Sequence, residues 1–138
     1  MACGPWIQGQ PGPYLSSVEV FNPKTNQWPE EMGMAAPKTE HTASVINGKI
    51  YVMGGFVRKG KESKSKFLSM IEIYDPTTDR WAQDPDMLIG KSGHENEVID
   101  GQIYIFRGDS LGVNGPLTSV EVYDPREVAR RINSIEKL

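Results

Sequence analysis

The chain has 138 residues, 24% of them charged and 38% hydrophobic, with a net charge of -3, which fits one ordinary domain with a core. That balance supplies no basic surface for nucleic acid and no acidic solvating tail, and no apolar run is long enough to span a membrane as a helix. Cys3 is the only cysteine, so an internal disulfide framework and a cysteine-based zinc site are both excluded.

Taken in order, "MACG" reads as the end of a strand, Pro5–Leu15 as a loop, and "SVEVFNP" (Ser17–Pro23) as a strand entering a turn, with Trp28 beyond it. After Pro29–Glu40 comes "HTASVI", which stops at Asn47-Gly48, a dipeptide suited to the positive φ angles of a tight hairpin. "KIYVMGG" follows, β-branched and aromatic, and it ends in glycines. A loop, Phe56–Leu68, leads to "SMIEIYDP", where Ile71 and Ile73 alternate with Met70, Glu72 and Tyr74 as in a half-buried strand. Asp75–Asp79 is a turn by composition, and "RWAQDP" opens a fourth strand. The pattern then restarts at His94 and reaches "SVEVYDP" (Ser119–Pro125). Beyond it, "REVARRINSIEKL" places Val128, Ile132 and Ile135 at helical spacing, so residues 126–138 are expected to form a short amphipathic helix.

The restart is a repeat. Residues 17–56 laid over 70–109 without a gap are identical at thirteen of forty positions, including Trp28/Trp81, Lys38/Lys91, His41/His94, Tyr51/Tyr104 and Gly55/Gly108. Four short antiparallel strands in about 50 residues is the blade of a β-propeller. The fold class expected is therefore all-β, an incomplete propeller with a helical tail. Its expected units are a partial blade over 1–34, a complete one over 41–88 and a partial one over 94–125.

The doublet Gly54-Gly55, the Tyr74 of "YDP" and Trp81 seven residues later resemble the kelch repeat. The resemblance covers residues 1–125, with departures at Phe21, at Arg107 in place of a glycine, and after Tyr123, where no Trp follows. It implies framework roles for Gly54, Gly55, Gly108, Tyr74, Tyr123, Trp28 and Trp81. It also implies a ring of about six blades, so the chain is expected to be a fragment or truncated form whose open blade edges invite self-association. A non-enzymatic protein-binding module is the function implied, in a substrate adaptor or scaffold of the cytoplasm. The rival implied by the same fold is part of an enzyme such as a sialic-acid mutarotase.

The long segments between second and third strands, and between one blade and the next, share one rim. A protein or peptide partner is expected there. The resemblance places Lys38 and Lys91 near the basic position of the central mouth, and Glu40, Arg107 and Asp109 are further candidates for contact with a partner. Arg58, Lys59 and Lys61 form a basic loop suited to acidic groups, or simply a solvated one. His41 and His94 are expected to be structural, and no cofactor, metal, nucleic acid or membrane is expected. Glu95 and Glu97 stand where the earlier copy has Thr42 and Ser44. They read either as an acid/base pair or as the mark of a partly solvated inner strand.

Overall fold

A computed structural model describes residues 14–57 and 66–127. The "MACG" strand end, Arg58, Lys59, Lys61 and the tail from residue 128 lie outside the described residues. In chain order the strands are β1 (Val18–Glu19), β2 (Glu30–Glu31), β3 (Thr42–Ile46), β4 (Lys49–Met53), β5 (Phe56–Val57) and β6 (Lys66–Phe67). They continue as β7 (Ile71–Asp75), β8 (Arg80–Asp84), β9 (Glu95–Ile99), β10 (Gln102–Phe106) and β11 (Val120–Tyr123). The sheets are β1-β2, β3-β4-β7-β8 and β9-β10-β11, each antiparallel, and they are three successive blades. Residues 125–127 make one helical turn.

Repeated sequence gives repeated backbone. Asn47-Gly48 has φ of 50° and 73°, and Asp100-Gly101 has 51° and 74°, the paired positive angles that let a two-residue hairpin follow strand twist. The turns before Trp28 and Trp81 repeat in the same way, with Asn26 at 53° and Asp79 at 51°. Register agrees as well. Tyr51 lies between Ser44 and Ile73, and Tyr104 lies between Glu97 and Val122. Trp28 sits just before β2 rather than within it, yet its ring meets Phe21 at 4.9 Å and 38°, against 5.1 Å and 40° for Trp81 on Tyr74.

One departure lies in the segment read as a plain loop, Phe56–Leu68. It carries a ladder of its own, β5 against β6, closed by the edge-on rings of Phe56 and Phe67 at 5.4 Å. Paired aromatics at the base of a long excursion hold its two ends together.

The core lies between the second and third blades. Ile46, Tyr51, Met53, Ile71, Ile73 and Met87 close on Ile103 and Ile105. Each such side chain contributes about 1.5–3 kcal/mol by leaving water. The inner strands β3 and β9 adjoin, as the converging edges of neighbouring blades must. Two further contacts lock blade to blade: the Tyr123 hydroxyl donates to Asp84, and Trp81 Nε1 donates to the Met32 carbonyl at 2.8 Å.

Candidate functional site

The rim that carries the long segments is built on two copies of one staple. The segment leaving the first blade bonds back to it through Met34 N–H on the Ser16 carbonyl (2.7 Å) and Lys38 N–H on the Leu15 carbonyl (3.2 Å). It reaches forward to Glu72 on β7, which accepts from Ala35 N–H at 3.2 Å and from the Lys38 ammonium. The next segment does the same. Met87 and Lys91 bond to Ser69 and Leu68, and Glu121 on β11 accepts from Leu88 N–H at 2.6 Å and from the Lys91 ammonium. A carboxylate that takes one backbone N–H and one ammonium spends both oxygens, which is what makes a buried charge tolerable.

Lys38 and Lys91 were expected at the mouth, near a partner. Both are buried, Lys91 completely, and their ammonium groups are held by Glu72 and Glu121. The structure thus places them beneath the rim as posts. The two glutamates were missed by the reading of the sequence, although the signal was there. Each copy of "SVEV" or "MIEI" has a Glu in an otherwise apolar strand.

Above the posts the backbone of the rim also repeats. Thr39 and Phe56 exchange N–H···O bonds of 3.1 and 2.8 Å, and Ser92 and Asp109 exchange bonds of 3.1 and 2.9 Å. Glu40, with φ of 54°, matches Gly93 at 61°, and the Glu40 carbonyl accepts from Gly93 N–H at 3.0 Å. Glu40, Arg107 and Asp109 are exposed there. Arg107 lies 3.7 Å from Glu95, both well solvated, so this ion pair has little energetic weight.

The framework residues divide by what they touch. At Gly55 a Cβ would lie 2.8 Å from the Thr39 carbonyl oxygen, and at Gly108 one would lie 2.7 Å from that of Ser92. The second glycine of the doublet therefore answers to its own blade. At Gly54 a Cβ would lie 2.6 Å from the Lys91 carbonyl oxygen and 2.7 Å from the His94 ring, so the first glycine answers to the next blade.

His94 is buried with Nε2 2.7 Å from Thr42 Oγ1, joining the two inner strands. Burial, and then the Lys91 charge, depress its pKa to about 4. His41 is shifted down for the same reasons, burial first and then Lys38. Neither imidazole has a convergent set of donors, and among the described residues no group of three His, Cys, Asp or Glu gathers as for a metal. Glu95 and Glu97 are exposed on β9, whose side chains are largely solvated, unlike the alternating burial of β3.

The Kelch motif matches residues 6–34, 37–88 and 90–127. The chain is 37% identical over 107 residues to Kelch-like protein 15 of Danio rerio, covering 75% of this chain and 17% of that protein. Beta-scruin of Limulus polyphemus is 28% identical over 120 residues, with 84% of this chain and 13% of scruin covered. An F-box/kelch-repeat protein of Arabidopsis thaliana is 38% identical over 78 residues, covering 56% of the chain and 16% of that protein. Among solved structures, YjhT superposes with a TM-score of 0.59 at 24% identity, over 68% of this chain and 28% of YjhT, a likeness of fold. The chain spans less than a fifth of the length of these three curated relatives.

Proposed function

The chain belongs to the kelch-repeat family, and from that premise we propose that it is a protein-binding module whose partner sits on the long-loop rim. The observation that carries this reading is the stapled rim itself. Buried Lys–Glu posts fix two successive segments between blades, and exposed Glu40, Arg107 and Asp109 stand on the backbone they hold. Charged side chains on preorganised backbone lose little entropy on binding, whereas the same groups on a loose loop would lose more. Arg58, Lys59 and Lys61 lie outside the described residues, and their charge suits acidic groups on a partner. The role is non-enzymatic, in the cytoplasm, and belongs to the target-reading part of a longer adaptor or scaffold. Self-association through the edge of β11 is a further part of the proposal, checked by sedimentation at several concentrations.

Photo-crosslinking in cells tests the rim directly. A crosslinker at Glu40, Arg107 or Asp109 is expected to capture partner protein, whereas one at Asn47 or Asp100, on the opposite rim, is expected to capture none. Equal capture from both rims, or capture only from Asn47 and Asp100, would overturn the reading.

A further inference from the structure

The rim departs from its own repeat at a place where the fold does not ask for it. The segment leaving the second blade copies the backbone of the one leaving the first, with Leu88 N–H on Glu121 repeating Ala35 N–H on Glu72. The side chains do not repeat. Ala35-Ala36 in the first copy becomes Leu88-Ile89 in the second. Leu88 is 91% exposed, so its added bulk fills no core. Because the alanine copy makes the same bonds, the framework does not require a leucine here.

A second leucine is presented beside it. In the segment between β10 and β11, Val113 N–H bonds the Ser110 carbonyl at 3.4 Å and Gly112 takes φ of 77°, the turn that favours glycine at its third position. Leu111 sits at the tip of that turn and is 78% exposed. Farther along, Leu117 N–H closes the loop on the Gly108 carbonyl at 2.8 Å, and the Leu117 side chain is buried. The loop thus has one leucine to hold it and another left out. Ser110 Oγ donates to the Gly90 carbonyl at 2.6 Å, which ties this loop to the segment carrying Leu88 and Ile89. Ile89 and Leu111 are chain neighbours of the two bonded residues, and Val113 adds a further exposed aliphatic group. Aliphatic side chains grouped on a fixed, exposed backbone mark a surface for another molecule.

The charge around this patch is acidic. Asp86 and Asp109 each precede an exposed leucine by two residues, and both are exposed themselves. Asp86 accepts from Ser69 Oγ at 2.7 Å through one of its oxygens. Arg107, the nearby cation, is turned to Glu95. We propose that the patch of Leu88, Ile89, Leu111 and Val113 docks a partner segment whose aliphatic side chains are flanked by lysine or arginine. This partner class rests on the rim as the binding face and adds what that face reads. The aliphatic groups supply the dry centre, and Asp86 and Asp109 supply a charged border that selects the partner.

A random peptide library displayed on phage and panned on the full chain tests this. Enriched peptides are expected to carry aliphatic side chains with a lysine or arginine beside them. A synthetic peptide of the enriched sequence should bind Leu88→Ala and Leu111→Ala about tenfold more weakly than the parent. Asp109→Asn should bind it about threefold more weakly, with a flatter dependence on salt. Leu88→Ala installs the residue of the first copy, so a loss of binding there is not a loss of fold. Enrichment of acidic or purely polar peptides instead, or none over the bare support, overturns the proposal. So does binding that Leu88→Ala together with Leu111→Ala leaves unchanged. Self-association of the parent that this paired substitution abolishes overturns it too, because it gives the patch to a second copy. Crosslinks from Glu40, Arg107 and Asp109 report whether the rim is used, and the peptides report what it reads, so either can fail alone.

Discussion

Gly54-Gly55 in the second blade and Arg107-Gly108 in the third end equivalent strands with nearly the same backbone at the first position, yet only the first pair is enclosed. The third blade keeps the glycine that its own inner strand requires and lacks the one that a neighbour would require. A repeat motif that looks like one constraint is thus two, one within a blade and one between blades. Substitutions on the enclosed side should therefore be costly, and their counterparts on the open side should not.

The largest effect is expected where the enclosing wall is held in place. Lys91→Met leaves the Glu121 carboxylate without its ammonium, and loss of one partner from a buried pair costs about 3–5 kcal/mol. Adding Glu121→Met should recover much of this, leaving about 1–2 kcal/mol for the Leu88 N–H that has lost its acceptor. On the open side, Arg107→Ala removes a solvated ion pair and should change stability by less than about 1 kcal/mol. Urea unfolding of the parent and these three variants measures all of these. Equal losses from Lys91→Met and Arg107→Ala would break the comparison.

Next in size is Gly54→Ala. The added Cβ meets a backbone carbonyl and a ring at under 3 Å and imposes a side chain at φ of 64°, together a cost of about 2–4 kcal/mol. Gly48→Ala is the control, with φ of 73° and nothing within 4 Å, so it reports the backbone strain of about 1 kcal/mol without a clash. A Gly54→Ala loss no larger than that of Gly48→Ala would mean that the blades do not close on this glycine.

Much of this was legible in the sequence, for stated reasons. The strands, the hairpins at Asn47-Gly48 and Asp100-Gly101 and the equivalence of Tyr51 with Tyr104 follow from local pattern, and a 53-residue repeat fixes them twice over. The fate of Lys38 and Lys91 was not legible, because a lysine in a polar segment reads as solvated until its carboxylate is found thirty or more residues away. The ladder of β5 and β6 was hidden for a similar reason: strands of two residues are too short to show a period. Arg107 was visible as a departure, but what the missing glycine would have touched belongs to another blade.

Acid should act on the enclosed side. An unfolded histidine titrates near 6.5, whereas His94 in the fold titrates at about 4, since burial disfavours its charged form. Between those values the unfolded chain binds a proton that the folded chain does not, so stability falls as the pH drops from about 6.5 to about 4. His41 is shifted in the same direction and adds to the slope. In His94→Asn that contribution is absent, and the stability difference between parent and variant should narrow toward pH 4. A constant difference across the range, in urea melts at several pH values, would remove the imidazole from the account.

The smallest effect sharpens the comparison most. Arg107→Gly restores the doublet on a face where nothing presses on it. A non-glycine residue at φ of 63° carries about 1 kcal/mol of local strain, which glycine relieves. Glycine also gives the unfolded chain more freedom, which offsets part of the gain. The ion pair lost with Glu95 is exposed and spans 3.7 Å, so its contribution is about 0–1 kcal/mol. These terms nearly cancel, and the expected change lies within about 0.5 kcal/mol of zero, against several for the reverse substitution Gly54→Arg in the second blade. The asymmetry between the two exchanges, measured in one set of denaturation curves, is the quantity that matters. If Arg107→Gly instead destabilised the chain by as much as Gly54→Arg, the outward face of the third blade would be enclosed after all, with Arg107 one of the groups that close it.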